Sequence, residues 1–284
     1  MYGVCIVRVI VTGASGFVGF RLVKELLRRG VETCAVSRQP VQFIDSLVVD
    51  SYLDTPTGDV LIHLAENANR AQVNEIGSAY FDEAVKLANT LALRGYQRIV
   101  FASSAAVYGD RDKRQHKPSD PVLVTDIYSQ TKLECEKQFS EENGVIARIS
   151  NLYGFGMSKD NVISRIIKQV RGDGEVKVRD DKVVRDFLWI DDAVDALVEM
   201  ALGRSRGTYN IASGRSISVG DLIDAALLAS GSNKRYIRAP TNPVDTHSAV
   251  HLDISDTSEA FGWVPKLKLE HGLKQLLGEK TSTQ

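Results

Sequence analysis

The chain reads Val9-Ile10-Val11-Thr12-Gly13-Ala14-Ser15-Gly16-Phe17-Val18-Gly19 and continues without interruption into a segment of helical periodicity. A β-branched run therefore stops at a glycine-rich turn, after which apolar residues recur at a helical spacing, at Val18, Leu22, Leu26 and Leu27. A strand, a glycine turn and a helix N-terminus bind anions well, because free backbone N–H groups and the positive end of the helix dipole face the ligand. The spacing is G-x-x-G-x-x-G rather than the commoner G-x-G-x-x-G, and in this position it predicts a dinucleotide site. A glycine-rich turn without a ligand is the alternative interpretation.

The bulk composition is that of a globular protein. The 284 residues, 43% hydrophobic and 25% charged, suffice for one large domain or for a nucleotide domain with a smaller companion. A net charge of −1 gives no electrostatic reason to expect nucleic acid or an anionic membrane as a partner. Cys5, Cys34 and Cys135 lack metal-ligand spacing, so we expect no metal site and free thiols in a reducing cytoplasm. Because Arg8 interrupts the first apolar run, that run predicts a strand and not a signal peptide.

Further strands and helices alternate along the chain. Near-continuous apolar strands are predicted at 31–36, 47–50, 59–65, 98–104 and 145–150, with helices at 74–93 and 128–143. Such strands belong to a parallel sheet that is buried on both faces, so the pattern predicts a doubly wound α/β fold. His63 ends one of these strands and is interpreted as a core histidine rather than a ligand. A charge run over 110–118 predicts a solvated loop or a flap over the site.

Three residues after the predicted fifth strand carry the chemistry. Tyr128 stands four residues before Lys132, so the two side chains share one face of a helix. A nearby ammonium favours the phenolate form of a tyrosine and suits it to general acid and base work. Ser104 ends its strand at the sheet edge where ligands of α/β folds bind, and its hydroxyl can hold a substrate oxygen.

Taken together, these motifs resemble the extended short-chain dehydrogenase/reductases, within them the NAD-dependent epimerase/dehydratase family. The resemblance spans essentially the whole chain and is carried by residues 12–19, 62–65, 102–109, 128–132, 151–154, 185–192 and 261–265. It implies a Rossmann sheet in three αβα layers, with a smaller C-terminal α+β part that binds substrate. The implied division gives residues 1–151 to the dinucleotide domain, with a return of the chain near 184–210. Residues 152–183 and 211–284 form the nucleotide-sugar part.

The resemblance also implies a role for each site residue. Ser104, Tyr128 and Lys132 would be catalytic, and Ser104, Asn151 and Arg185 would contact the nucleotide-diphosphate sugar. The implied contacts of an NAD or NADP cofactor are Gly13, Ser15, Gly16, Phe17, Val18, Gly19, Ser37, Arg38, Asp50, Leu64, Ala65, Asn74, Ala102, Tyr128 and Lys132. Ser37 and Arg38 at the end of the second strand favour a 2′-phosphate, hence NADP, whereas likeness to epimerases favours NAD.

Within the family, the chain most resembles UDP-glucose/UDP-galactose 4-epimerases. Sugar 4,6-dehydratases carry an Asp-Glu pair where this chain has Ala105 and Ala106, so elimination chemistry lacks its acid and base. Three departures from the family's usual pattern fit a reductase of a 4-keto nucleotide sugar as well as they fit an epimerase. The segment Ser37-Arg38 replaces an acid, Glu66 stands where a small residue is common in a shortened 65–74 link, and residues 240–253 offer no arginine for the second phosphate.

The resulting expectation is an NAD(P)-dependent nucleotide-sugar 4-epimerase of the cytoplasm. A ketosugar reductase is the alternative, and a dinucleotide sensor is disfavoured because both Tyr128 and Lys132 are present. In relatives, the helices corresponding to 74–93 and 128–143 pair across a two-fold axis, so the resemblance implies a homodimer.

Overall fold

A seven-stranded parallel sheet forms the centre of the molecule, in the order β11-β7-β5-β4-β1-β2-β3. The computed structural model describes residues 7–139, 143–238 and 248–278. The strands are β1 (Arg8–Thr12), β2 (Glu32–Ser37), β3 (Ser46–Val48), β4 (Val60–His63), β5 (Arg98–Ser104), β7 (Gly144–Ile149) and β11 (Gly207–Ile211). The strand order reverses between β1 and β4, where doubly wound folds open a crevice at the carboxyl ends of the strands.

Helices cover both faces of this sheet. On one face, α1 (Gly19–Arg28) and α6 (Ile190–Leu202) pack together, with Leu22, Leu26 and Leu197 fully buried in a core that also contains Val9 and Val11. The other face carries α3 (Ser78–Ala92) and α4 (Ile127–Phe139), whose buried side chains pack on those of β1, β4 and β5, while α2 (Arg70–Ile76) packs against α3 and α4. The predicted three-layer α/β fold is therefore confirmed.

A smaller part is built mostly from elements that follow β7. It contains α5 (Val162–Arg171), α7 (Val219–Ser230) and α9 (Leu269–Gly278), and a sheet of β8 (Asn151–Tyr153), β10 (Val184–Trp189) and β12 (Ser216–Ser218). Two short pairs complete it: β9 (Val176–Val178) with β13 (Tyr236–Arg238), and β6 (Gln115–His116) with β14 (His251–Leu252). The last helix of the large part, α8 (Ser255–Phe261), leads to Trp263, which is buried in the core beside α6.

Two predicted elements differ from those observed. The single helix predicted over 74–93 is two helices, α2 and α3, because Gly77 between them has a φ of 73°, which a helix cannot contain. The third strand ends at Val48, so Asp50 lies beyond it and is exposed. Of the helix predicted over 128–143, residues 140–142 lie outside the described residues.

The described residues contain no helix with the length and apolar character needed to cross a membrane.

Candidate active site

The glycine turn between β1 and α1 is shaped for a phosphate. Gly13 has a φ of +72°, and a Cβ there would lie 2.9 Å from the Leu64 carbonyl carbon at the end of β4. A Cβ on Gly19 would lie 2.2 Å from Gly13 O, so glycine is what lets α1 start against the turn. No side chain caps the N-terminus of α1 and no acidic residue occupies its first turn, while Ser15 and Gly16 are exposed. This open helix end fits a diphosphate.

The residues at the end of β2 fit the adenosine end of a dinucleotide whose diphosphate lies at this turn. Ser37 is buried and its hydroxyl donates to the Gln39 carbonyl oxygen, whereas the Arg38 guanidinium is exposed, 5.7 Å from the centre of the Tyr52 ring. The carboxyl end of β2 therefore carries a cation and no acidic residue.

His63 is part of the core beneath the site, as its position in the sequence indicated. Its Nδ1 lies 2.7 Å from Thr12 Oγ1, its side chain is buried, and its ring stacks on Phe101 with 6.0 Å between centres. Burial lowers the pKa of His63 to about 4, so the ring is neutral at neutral pH.

Lys132 is fixed by groups from two neighbouring strands. Its ammonium donates to the Ala102 carbonyl oxygen of β5 at 2.8 Å and lies 2.5 Å from Glu66 Oε2, just beyond β4. Burial by itself lowers the pKa of Lys132, but the charge of Glu66, with a smaller contribution from the nearby Tyr128, outweighs it and holds that pKa above its ordinary value. Lys132 is thus a buried, charged ammonium one turn from Tyr128.

Asn74 fixes the N-terminal end of α4. Its Oδ1 accepts a hydrogen bond from the backbone N–H of Tyr128 at 2.9 Å, and its Nδ2 donates to Asp126 at 3.0 Å. Its amide therefore holds the tyrosine's own backbone, and any contact with a nicotinamide stays a prediction.

One cavity of about 190 Å³ collects at its wall four of the five residues assigned to catalysis and substrate, Ser104, Tyr128, Asn151 and Arg185, whereas Lys132 is not part of its lining. Ser104 ends β5 and caps the following turn, where its Oγ accepts from the Ala106 N–H at 3.2 Å. Ala105 and Ala106 line the same cavity, so the two positions without acid and base do face the space for a substrate.

Arg185 enters the cavity from β10, half-buried. Its guanidinium donates to Ser248 Oγ at 2.6 Å and lies 3.6 Å from Asp110 Oδ2. Burial lowers the pKa of Arg185 and the Asp110 charge offsets only part of that effect. Asn151 starts β8 and its side-chain amide donates to the Asp186 carbonyl oxygen at 3.1 Å. Since Asp110 compensates only part of the charge of Arg185, an anionic ligand in the cavity would compensate the rest.

The sequence analysis missed Arg70, a second cation at this cavity. Arg70 begins α2, lines the cavity, and forms an ion pair with Asp126. Asp110 starts the charge run that predicts a solvated loop or a flap. It lines the cavity too, whereas Arg114 later in the run pairs with Asp112 in solvent. A cation at the first position of the helix that follows β4 was the signal available for Arg70. Residues 240–247, part of the segment without a phosphate-binding arginine, lie outside the described residues.

Comparison with known proteins decides the family. The profile of the NAD dependent epimerase/dehydratase family matches residues 9–212, which include the glycine turn, Ser104, Tyr128 and Lys132. This chain belongs to that family. The resemblance inferred from the motifs is confirmed, and the glycine cradle shows that its residues fit the dinucleotide implied by the family's description.

Individual relatives of this family member are distant and differ in activity. UDP-glucuronic acid decarboxylase 3 of Arabidopsis thaliana is 26% identical, over 94% of this chain and 86% of the relative. A UDP-glucose 4-epimerase of Halalkalibacterium halodurans is 23% identical, over 91% of this chain and 90% of the relative. The solved structure of MoeE5 in complex with UDP-glucuronic acid and NAD is 27% identical, with a TM-score of 0.79 over 94% of this chain and 96% of that one. Decarboxylation is an activity that the sequence analysis did not consider.

The buried His63 predicts a loss of stability in acid. The unfolded chain takes up this proton near pH 6.5, but the folded site resists it until about pH 4. The free energy of unfolding should therefore fall as the pH drops through that window, by up to about 3 kcal/mol from this group. Urea unfolding at pH 7, 5 and 4 measures it. His63→Gln should start less stable and decline less steeply, whereas exposed His271→Gln should follow the wild type. Equal slopes for the His63 variant and the wild type would contradict this assignment.

Proposed function

We propose that this protein is a nucleotide-sugar 4-epimerase that oxidises the sugar at C4, lets the ketosugar turn over, and reduces it from the other face. The observation that carries the proposal is the composition of one cavity wall. Ser104 and Tyr128 can act on a sugar hydroxyl there, while Ala105 and Ala106 offer no second acid or base.

Each residue has a defined task in this scheme. When bound, a nicotinamide dinucleotide supplies the acceptor and later the donor of hydride. Tyr128 takes the proton of the C4 hydroxyl and returns it to the same oxygen, because it lines the cavity beside the buried ammonium of Lys132. Ser104 holds that oxygen by a hydrogen bond. Arg185 and Asn151 bind the diphosphate, so the sugar alone can rotate.

An NADPH-dependent reductase of a 4-keto nucleotide sugar is the second candidate. It is favoured by the exposed Arg38 at the end of β2, where a guanidinium suits a 2′-phosphate. The names of the relatives add a third product to look for, since oxidation of a uronic acid at C4 leaves a β-keto acid that can lose carbon dioxide.

The first test follows products and cofactor together. Wild type is incubated with UDP-glucose, UDP-glucuronic acid or a 4-keto nucleotide sugar, with and without added NAD or NADPH, and products are read by NMR. An epimerase yields the C4 epimer with no net change in nicotinamide absorbance; stoichiometric consumption of NADPH or release of carbon dioxide would overturn the proposal.

Tyr128→Phe should lower kcat at least about 100-fold and leave dinucleotide affinity within about threefold. Tyr96→Phe, whose hydroxyl donates to Pro56 away from the cavity, is the matched control.

Arg185 should act on substrate affinity. Arg185→Met should raise KM for the nucleotide sugar by roughly 10-fold or more and change kcat little, because it removes binding shared by ground and transition states. Steady-state kinetics check this against Arg165→Met, an exposed arginine on α5 that pairs with Asp160 outside the cavity. An unchanged KM in the Arg185 variant would show that the diphosphate lies elsewhere.

We further propose a cytoplasmic homodimer that pairs through α3 and α4. These helices pack on each other, and α3 fully buries only Ala88 and Leu91 over its 15 residues, while its Phe81 is half-buried. Equilibrium sedimentation should therefore give about twice the chain mass of 31.2 kDa. Phe81→Glu should reduce the mass towards one chain; a wild type that sediments as one chain would exclude the dimer.

A further inference from the structure

We propose that Glu66 is a positioning residue that fixes the ammonium of Lys132 and balances its charge. The proposal rests on the proposed function, in which Lys132 supports Tyr128 and holds the dinucleotide.

The contact between Glu66 and Lys132 is buried on both sides. Their side chains are 6% and 9% exposed, with 2.5 Å between Oε2 and Nζ. The turn after β4 directs Glu66 to this place, where its N–H donates to the Leu64 carbonyl oxygen at 2.9 Å. Since the Ala102 carbonyl oxygen accepts an N–H of Lys132, the ammonium is held between the end of β5 and the turn after β4.

Glu66 and Lys132 are the charged members of this cluster at neutral pH. The titratable groups that interact with Glu66 come from three elements: His63 of β4, Tyr80 of α3, and Lys132 and Cys135 of α4. Burial lowers the pKa of His63 to about 4 and raises the pKa of Tyr80 to about 12, so both are neutral. Burial and the charge of Glu66 raise the pKa of the Cys135 thiol as well. Tyr128 faces the same ammonium from its own helix.

A charge this well buried is costly without its partner. Removing one member of a buried ion pair leaves the other uncompensated, which either displaces it or discharges it. Both carboxylate oxygens of Glu66 are buried and neither has a hydrogen-bond donor within the described ranges, so the ion pair with Lys132 is what compensates this charge. When a dinucleotide is bound, Glu66 acts on it through Lys132, whose position and charge it holds. Glu66 therefore links the state of Lys132 to the cofactor.

The dinucleotide arm of the test is a double-mutant cycle that needs no sugar turnover. NADH affinity is measured by its fluorescence for wild type, Glu66→Ala, Lys132→Met and the double variant. If Glu66 acts through Lys132, Glu66→Ala should weaken NADH binding by roughly 10-fold with Lys132 present and less than about twofold in the Lys132→Met background. Equal losses in both backgrounds, or no loss, would overturn the proposal. Glu66→Asp, which keeps the charge but shortens the reach, replaces the alanine variant if that one does not fold.

The second arm reads the charge through the pH dependence of turnover. Glu66→Gln keeps a hydrogen-bond acceptor beside Lys132 but removes the negative charge, so the phenolate form of Tyr128 gains stability. The midpoint of the pH–kcat profile should move to lower pH by about one unit. Exposed Glu75→Gln is the matched control and should leave the midpoint in place. An unmoved midpoint in the Glu66 variant contradicts the charge role. If no nucleotide sugar turns over, the proposed function fails, while the affinity cycle still decides the role of Glu66.

Discussion

The free N-terminus of α1 against the carboxyl edge of the parallel sheet is the constraint on which the rest depends. It exists because β1 turns at Gly13 and α1 starts at Gly19, where a side chain would overlap the Gly13 carbonyl oxygen. Since β4 and β5 lie on the same side of β1, their ends bring Leu64, Ala102 and Ser104 to the same edge. One strand order therefore places both the glycine turn and the residues proposed for catalysis.

The charges at this edge divide into two zones. In the interior, Glu66 and Lys132 form an ion pair that is surrounded by neutral groups. In the proposed function, this balanced pair would hold a phenol and a dinucleotide without adding a net charge. In the open cavity, Arg70 and Arg185 each pair with one carboxylate of the described residues and line the space open to an anion. In the proposed function, a dinucleotide and a nucleotide sugar would thus meet different electrostatics, although Tyr128 belongs to both zones.

Local sequence was sufficient where function depends on the backbone or on helical spacing. The glycine turn, the strand that ends at Ser104 and the pair Tyr128 and Lys132 were all predicted, because each is specified within a few residues. Contacts that join distant segments were not predicted. The ion pair of Glu66 with Lys132 spans the packing of β4 against α4, and the sequence showed only an unusual residue after Ala65. Gly77 was the visible signal for the break between α2 and α3, yet the apolar period continued through it.

The central claim is that the glycine turn anchors a dinucleotide whose redox-active ring reaches Tyr128 and Lys132. A crystal structure of the protein soaked with NAD and a UDP-sugar tests it most directly. We expect the pyrophosphate against Gly13–Gly19, the nicotinamide ring beside Tyr128, and the sugar diphosphate at Arg185. An empty glycine turn, or a nicotinamide ring out of reach of the Tyr128 hydroxyl, would contradict the account.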